Sequence, residues 1–177
     1  MRTYLSFLIF AFFACNHATQ SAKKPLLMSI DTSKYAFIKF DTSENYLFGK
    51  YAKPAYLSQS ELNEVENLLD SAIHDYNRME KKVYEKNLKD TSLFHAKASD
   101  VYDDRITDLS DYKKQLIAVI NSSGEKLVWV NCFNNHFSAP YWQKTVVFVN
   151  DGGKWFFNIK INLTHRKAYE LMINGSA

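Results

Sequence analysis

Only two cysteines occur in the 177 residues, Cys15 and Cys132. An exported chain ordinarily pairs its thiols or has none, so a disulfide framework is excluded unless these two join. No apolar run reaches the roughly 20 residues that a bilayer-spanning helix requires. The five histidines, His17, His74, His95, His136 and His165, have neither H-x-x-x-H nor H-E-x-x-H spacing. The acidic stretch Asp100, Asp103, Asp104, Arg105, Asp108 and Asp111 lacks the D-x-D-x-D-G order of a calcium loop. No metal or cofactor is therefore expected, and no catalytic motif stands out. A formal charge of +3 with both signs interspersed lacks the basic excess that nucleic acid demands, which excludes it as a partner. Internal repeats and low-complexity segments are missing too.

What is present begins with an address. Arg2 precedes an apolar run from Tyr4 to Ala14, then Cys15, and the chain turns polar from Asn16 to Lys24. The run has the size of a secretory h-region. Phe12-Phe13-Ala14-Cys15 resembles the cleavage site of bacterial lipoproteins, where a small residue precedes the cysteine that is lipidated. The resemblance implies a signal peptide over 1–15, lipid on Cys15, and a tether over 16–30. It also implies a bacterial cell-envelope location, with the domain facing the periplasm or the cell surface and touching the membrane through its N-terminal lipid. An ordinary signal peptide cut elsewhere is the competing reading.

Residues 31–177 are expected to form one α+β domain, a single amphipathic helix packed on an antiparallel meander of five or more strands. Ser58 and Glu61 have capping-box spacing, flanked by Leu57 and Leu62 as a hydrophobic staple. Leu62, Val65, Leu69, Ala72, Ile73 and Tyr76 then recur at three- and four-residue steps, which places one face on a sheet. The helix ends at Asn77-Arg78 or runs on to Lys86. Alternation predicts strands over Tyr35–Phe40, Asn45–Phe48, Gln115–Asn121, Lys126–Phe133, Thr145–Val149, a long one around Trp155–Leu163, and one over Tyr169–Asn174. Asp151-Gly152-Gly153 would close a tight hairpin after Val149. The stretch 87–111 reads as a long connection.

Between Phe133 and Gln143 the chain mixes Asn134 and His136 with Phe137, Tyr141 and Trp142, the composition of a recognition loop. The alternative is that the three rings fold back and plug one end of the core. Asn158 and Asn162 share the outward face of the long strand with Lys160, either as a solvated face or as amides lining a binding surface. Asn131-Cys132-Phe133, Trp142, Asp151-Gly152-Gly153, Phe157-Asn158, Lys160 to Thr164 and Asn174-Gly175 together resemble uncharacterised small bacterial lipoproteins, over roughly residues 112–177. That resemblance implies no activity. A helix followed by a meander is similar to cystatin-like and nuclear-transport-factor-like curved sheets, an analogy of fold alone.

Three functions compete. One is a non-enzymatic binding or inhibitory module for a protein, peptide or glycan, using the loop and one sheet face. Another is an envelope hydrolase with His136 as general base beside an acid of 100–111. The third is a structural subunit of an envelope assembly.

Overall fold

The computed structural model describes residue 31, residues 33–94 and residues 102–175. The expected signal peptide with Cys15, the expected tether over 16–30 and Asp100 lie outside the described residues. One sheet of six strands organises the rest: β1 (Tyr35–Phe37), β2 (Lys53–Pro54), β3 (Tyr112–Ile120), β4 (Lys126–Asn134), β5 (Phe156–Asn162) and β6 (Lys167–Ile173). The order is β1-β3-β4-β5-β6, with β2 also on β3. Strands β3 to β6 form the antiparallel meander, while β1 runs parallel to β3 with Tyr35 opposite Lys114. The α+β class is thus a long helix on a mostly antiparallel open sheet.

That helix, α2 (Gln59–Phe94), follows the short α1 (Asn45–Phe48) and is 36 residues long, about 54 Å at 1.5 Å per residue. Its start is the capping box: Ser58 N donates to Glu61 Oε2 at 2.8 Å and Glu61 N donates to Ser58 Oγ at 3.3 Å. Leu62, Val65, Leu69 and Ile73 are buried against Leu116, Ala118, Val128, Val130, Phe157, Ile159 and Ile161 of the sheet. Leu57, Ala72 and Tyr76 pack at the margin of that cluster. The helix passes both stopping points expected from the sequence. Asn77 does not end it but clamps the strap that follows, donating from Nδ2 to Ile106 O at 2.6 Å and accepting at Oδ1 from Ile106 N at 2.8 Å. Ile106 is buried in the helix-side core, so the end of the expected loose connection is pinned.

Three expected strand placements differ in the structure. Asn45–Phe48 is a helical turn, because Asp41 Oδ1 accepts from Ser43 N and starts a 3-10 turn over Thr42–Glu44 that leads into it. The Tyr35–Phe40 strand ends at Phe37, and Thr145–Val149 forms no strand at all. Nor does Asp151-Gly152-Gly153 close a hairpin. Gly152 sits at φ 95°, where only glycine fits freely, and a Cβ there would meet the Phe156 ring at 2.6 Å. It leads into the 3-10 turn Gly153–Trp155 instead.

Strand β6 also departs from simple alternation. Asn158 pairs with Met172 but Lys160 pairs with Tyr169, so an extra residue is inserted, and Glu170 has φ 50°. The bulge changes the phase of the strand: Ala168, Leu171 and Ile173 pack on the helix-side core, while Tyr169 stands opposite Lys160.

Candidate functional site

Alternation along β3 and β4 sends Gln115, Ile117 and Val119, and Leu127, Trp129, Asn131 and Phe133, to the face away from α2. Most of these are apolar and need a cover. Two segments outside the strands supply it. Residues 38–52 close over Ile117, Val119, Leu127 and Trp129 with Phe40, Leu47, Phe48 and Ala52. Residues 137–149 close over Phe133 and Phe156 with Phe137, Ala139, Trp142 and Val147, and Val146 joins the first cluster.

An extended segment laid on a sheet face has no ladder to satisfy its peptide groups, and leaving a buried one unpaired costs about 1–3 kcal/mol. Here side-chain amides satisfy them. Gln115, at 0 % exposure, donates from Nε2 to the Trp142 and Thr145 carbonyls and accepts at Oε1 from Val147 N at 2.8 Å. Asn131 Nδ2 donates to Val147 O at 2.8 Å and to Gln115 Oε1 at 3.0 Å. Asn174 Nδ2 donates to Val149 O at 2.6 Å and to Asp151 O at 3.1 Å. Hence Thr145–Val149, although patterned as a strand, is held by three side-chain amides.

The site residues expected from the sequence divide within this layer. Trp142 is buried, edge-on to Phe133 at 5.8 Å, with the Lys113 ammonium 5.5 Å from its ring centre. Phe137 is half-buried, edge-on to Phe133 at 6.3 Å and to Phe156 at 4.9 Å. Both rings plug the core. Asn134 spends its Oδ1 on His136 N at 3.0 Å, which shapes the turn, and His136 points to solvent. Tyr141 is 49 % exposed. On β5, the Asn158 Oδ1 accepts from Trp129 Nε1 at 3.1 Å, and the Asn162 Oδ1 accepts from His165 N at 2.9 Å. These two amides are used within the fold, one on an indole and one on the β5–β6 turn. Lys160 between them pairs with Glu170 at 2.7 Å.

Sequence reasoning missed Gln115, Asn131 and Phe148. A glutamine opening the apolar run Gln115-Leu-Ile-Ala-Val-Ile120 and an asparagine within Leu127-Val-Trp-Val-Asn-Cys-Phe133 were the available signals, since buried polar groups imply partners. Phe148 is 71 % exposed beside the buried Val147. Nothing in the composition singles it out.

An open pocket of about 340 Å³ lies at the other end, where the start of α2 meets the β5–β6 turn, lined by Ser60, Glu61, Glu64, Lys126, Leu163, Thr164 and Arg166. Its cations already have partners: Lys126 meets Glu61 at 2.7 Å, and Arg166 meets both oxygens of Glu64 at 2.9 and 3.1 Å. Hydrogen bonds from Lys126 and Ser58 outweigh the burial of Glu61 and hold its carboxyl below the usual range. Cys132 is fully buried on the helix side, and burial pushes its thiol far above the usual range, which makes it a poor nucleophile. Among the described residues, no three His, Cys, Asp or Glu side chains gather as a metal set, and no helix is long and apolar enough to cross a membrane. No family model, curated protein or solved structure matches the chain.

Proposed function

We propose that the chain is a lipid-anchored, non-catalytic binding module of a bacterial cell envelope, held to the membrane through Cys15 and recognising its partner with the outer layer of the sheet. The observation that carries this reading is the pairing of exposed rings with a fixed backbone. Tyr141 and Phe148 stand in solvent, yet the peptide groups around them are fastened by Gln115, Asn131 and Asn174. Rigid presentation lowers the ordering cost of association, and flat rings bury much area for few frozen torsions. An aromatic side chain held outward in this way is suited to being a binding anchor.

Two experiments test the reading. In the first, full-length protein is used to capture partners from envelope extracts, alongside Tyr141→Ala and Phe148→Ala with melting curves for each. Loss of at least about 1 kcal/mol of affinity at unchanged stability is the expected result, the usual threshold for an anchor. Capture indifferent to both substitutions would remove the outer layer from the account. In the second, Cys15→Ser should abolish lipid labelling and release the protein from membranes; labelling that persists would overturn the anchor.

A further inference from the structure

The second half of α2 leaves the sheet behind. The helix starts beside the first residue of β4, where Glu61 meets Lys126, and runs toward the end where β3 begins, with Tyr76 and Asn77 bound to the carbonyls of Asp104 and Ile106. Among the described residues, none of α2 past Tyr76 joins the helix-side core, and residues 78–94 continue for about 25 Å at 1.5 Å per residue. One side of this stretch is covered. The Arg105 guanidinium of the strap lies 5.9 Å from the Tyr84 ring centre, and Leu88, one turn on, is half-buried. The other side is open. Arg78, Lys82 and Lys86 recur there at four-residue steps, all exposed, with Lys89 exposed beside them. Met79 and Val83 flank that stripe at 61 % and 48 % exposure. The acids nearby do not interrupt it: Asp75 precedes it and meets Arg78 at 3.1 Å, Glu80 is on the far side of the helix, Glu85 is 3.9 Å from Lys81, and Asp90 stands at its end.

We infer that this stripe lies on an anionic bilayer surface, its basic groups meeting lipid phosphates while Met79 and Val83 enter the boundary of the acyl region. Basic side chains over anionic headgroups, with an apolar flank beside them, are what a helix lying in the interface requires. The occupant follows from where the chain comes in. Strand β1 runs parallel to β3, so the chain before Asp31 reaches the domain at the same end toward which α2 projects. The lipid proposed at Cys15 then keeps the stripe at high effective concentration over a leaflet, and the inference rests on that anchor. A second copy of the chain fits less well. Glu61, Glu64 and Glu66 in the first half of α2 already meet Lys126, Arg166 and Lys114, so they offer a basic stripe no free acidic face.

The test uses full-length protein carrying Met79→Cys, labelled with an environment-sensitive dansyl group and mixed with vesicles of phosphatidylcholine, either alone or with phosphatidylglycerol added. Cys132 is buried from the reagent, and protein without the substitution, treated identically, is the blank. Flotation reads the anchor, and dansyl emission reads the helix. The protein should float with both kinds of vesicle, and the emission should move to the blue only where phosphatidylglycerol is present. Raising salt from about 0.1 M to about 1 M should reverse that shift, since the Debye length falls from about 10 to about 3 Å. Each basic residue at an anionic surface strengthens attachment about fivefold, so Lys82→Ala with Lys86→Ala should weaken the contact about 25-fold and remove the shift. Alanine favours helix, so melting curves should show the fold intact. An equal shift on both vesicles, no shift with phosphatidylglycerol, or a shift that survives the double substitution would overturn the inference. Flotation with both vesicles and no shift leaves the anchor standing and removes only the helix contact. Flotation and a shift with phosphatidylglycerol alone keep the helix contact and remove the anchor, and flotation with neither removes both.

Discussion

The helix face of the sheet and its outer face bury similar side chains under covers of different kinds. On the helix side, Leu62, Val65, Leu69 and Ile73 fall at helical spacing and their element satisfies its own peptide groups, so one regular helix closes the core. On the outer side, Trp142 and Val147 come from irregular chain, and borrowed amides must do there what helical hydrogen bonds do opposite. A self-satisfied cover writes a period into the sequence; a cover satisfied from the sheet does not. The second kind also leaves neighbouring side chains free to face solvent, as Tyr141 and Phe148 do.

Removing Gln115 should break the comparison most severely. Gln115→Met keeps the volume but leaves the Trp142 and Thr145 carbonyls, Val147 N and the Asn131 amide short of a partner. At roughly 1–3 kcal/mol for each group that water cannot reach, the sum is the largest expected of any substitution here. Denaturant titration should show it together with early protease cleavage within 137–149. On the opposite face Leu69→Ala should cost about 2–5 kcal/mol, as for a fully buried leucine, with no change in cleavage of the outer layer. A silent Leu69→Ala would mean the helix is wrongly phased. Ser58→Ala, which removes one half of the capping box, should cost roughly 0.5–2 kcal/mol in the same titration.

The smallest effect expected is acid loosening of the strap behind α2. The hydrogen bond from Arg105 holds the Asp103 carboxyl down at about 2, despite partial burial. A depressed carboxylate stabilises the fold above its unfolded value of about 3.9, and that contribution is lost as pH falls from there through about 2. Asp103→Asn should therefore lower stability near neutrality and flatten its pH dependence between pH 4 and 2. An unaltered acid limb would show that the Asp103–Arg105 contact is not formed in solution.

The legibility of the sequence follows the same division. The capping box at Ser58, the buried stripe of α2 and the alternation of Phe157, Ile159 and Ile161 each imprint a period, and each is where the pattern put it. The length of α2 was not legible, because polar residues after Asn77 suit a solvated helix and a loop alike. Thr145–Val149 misled because alternation reports burial of every second residue and is blind to whether the backbone partner is a strand or the amides of Gln115 and Asn131. Within the loop at 134–142, composition could not separate the core rings Phe137 and Trp142 from the exposed Tyr141, since that depends on which sheet face lies beneath. The phase change in β6 came from a single residue, Glu170, with no glycine to mark it.

The claim on which the rest depends is that side-chain amides fix the outer layer, and the exchange rate of the Val147 amide proton tests it most directly. With Gln115 Oε1 as acceptor, the proton should exchange as slowly as those of the β3–β4 ladder, and Gln115→Met should bring it close to the rate of an open loop. Rapid exchange of Val147 in the unaltered protein, with the ladder protected, would contradict the account.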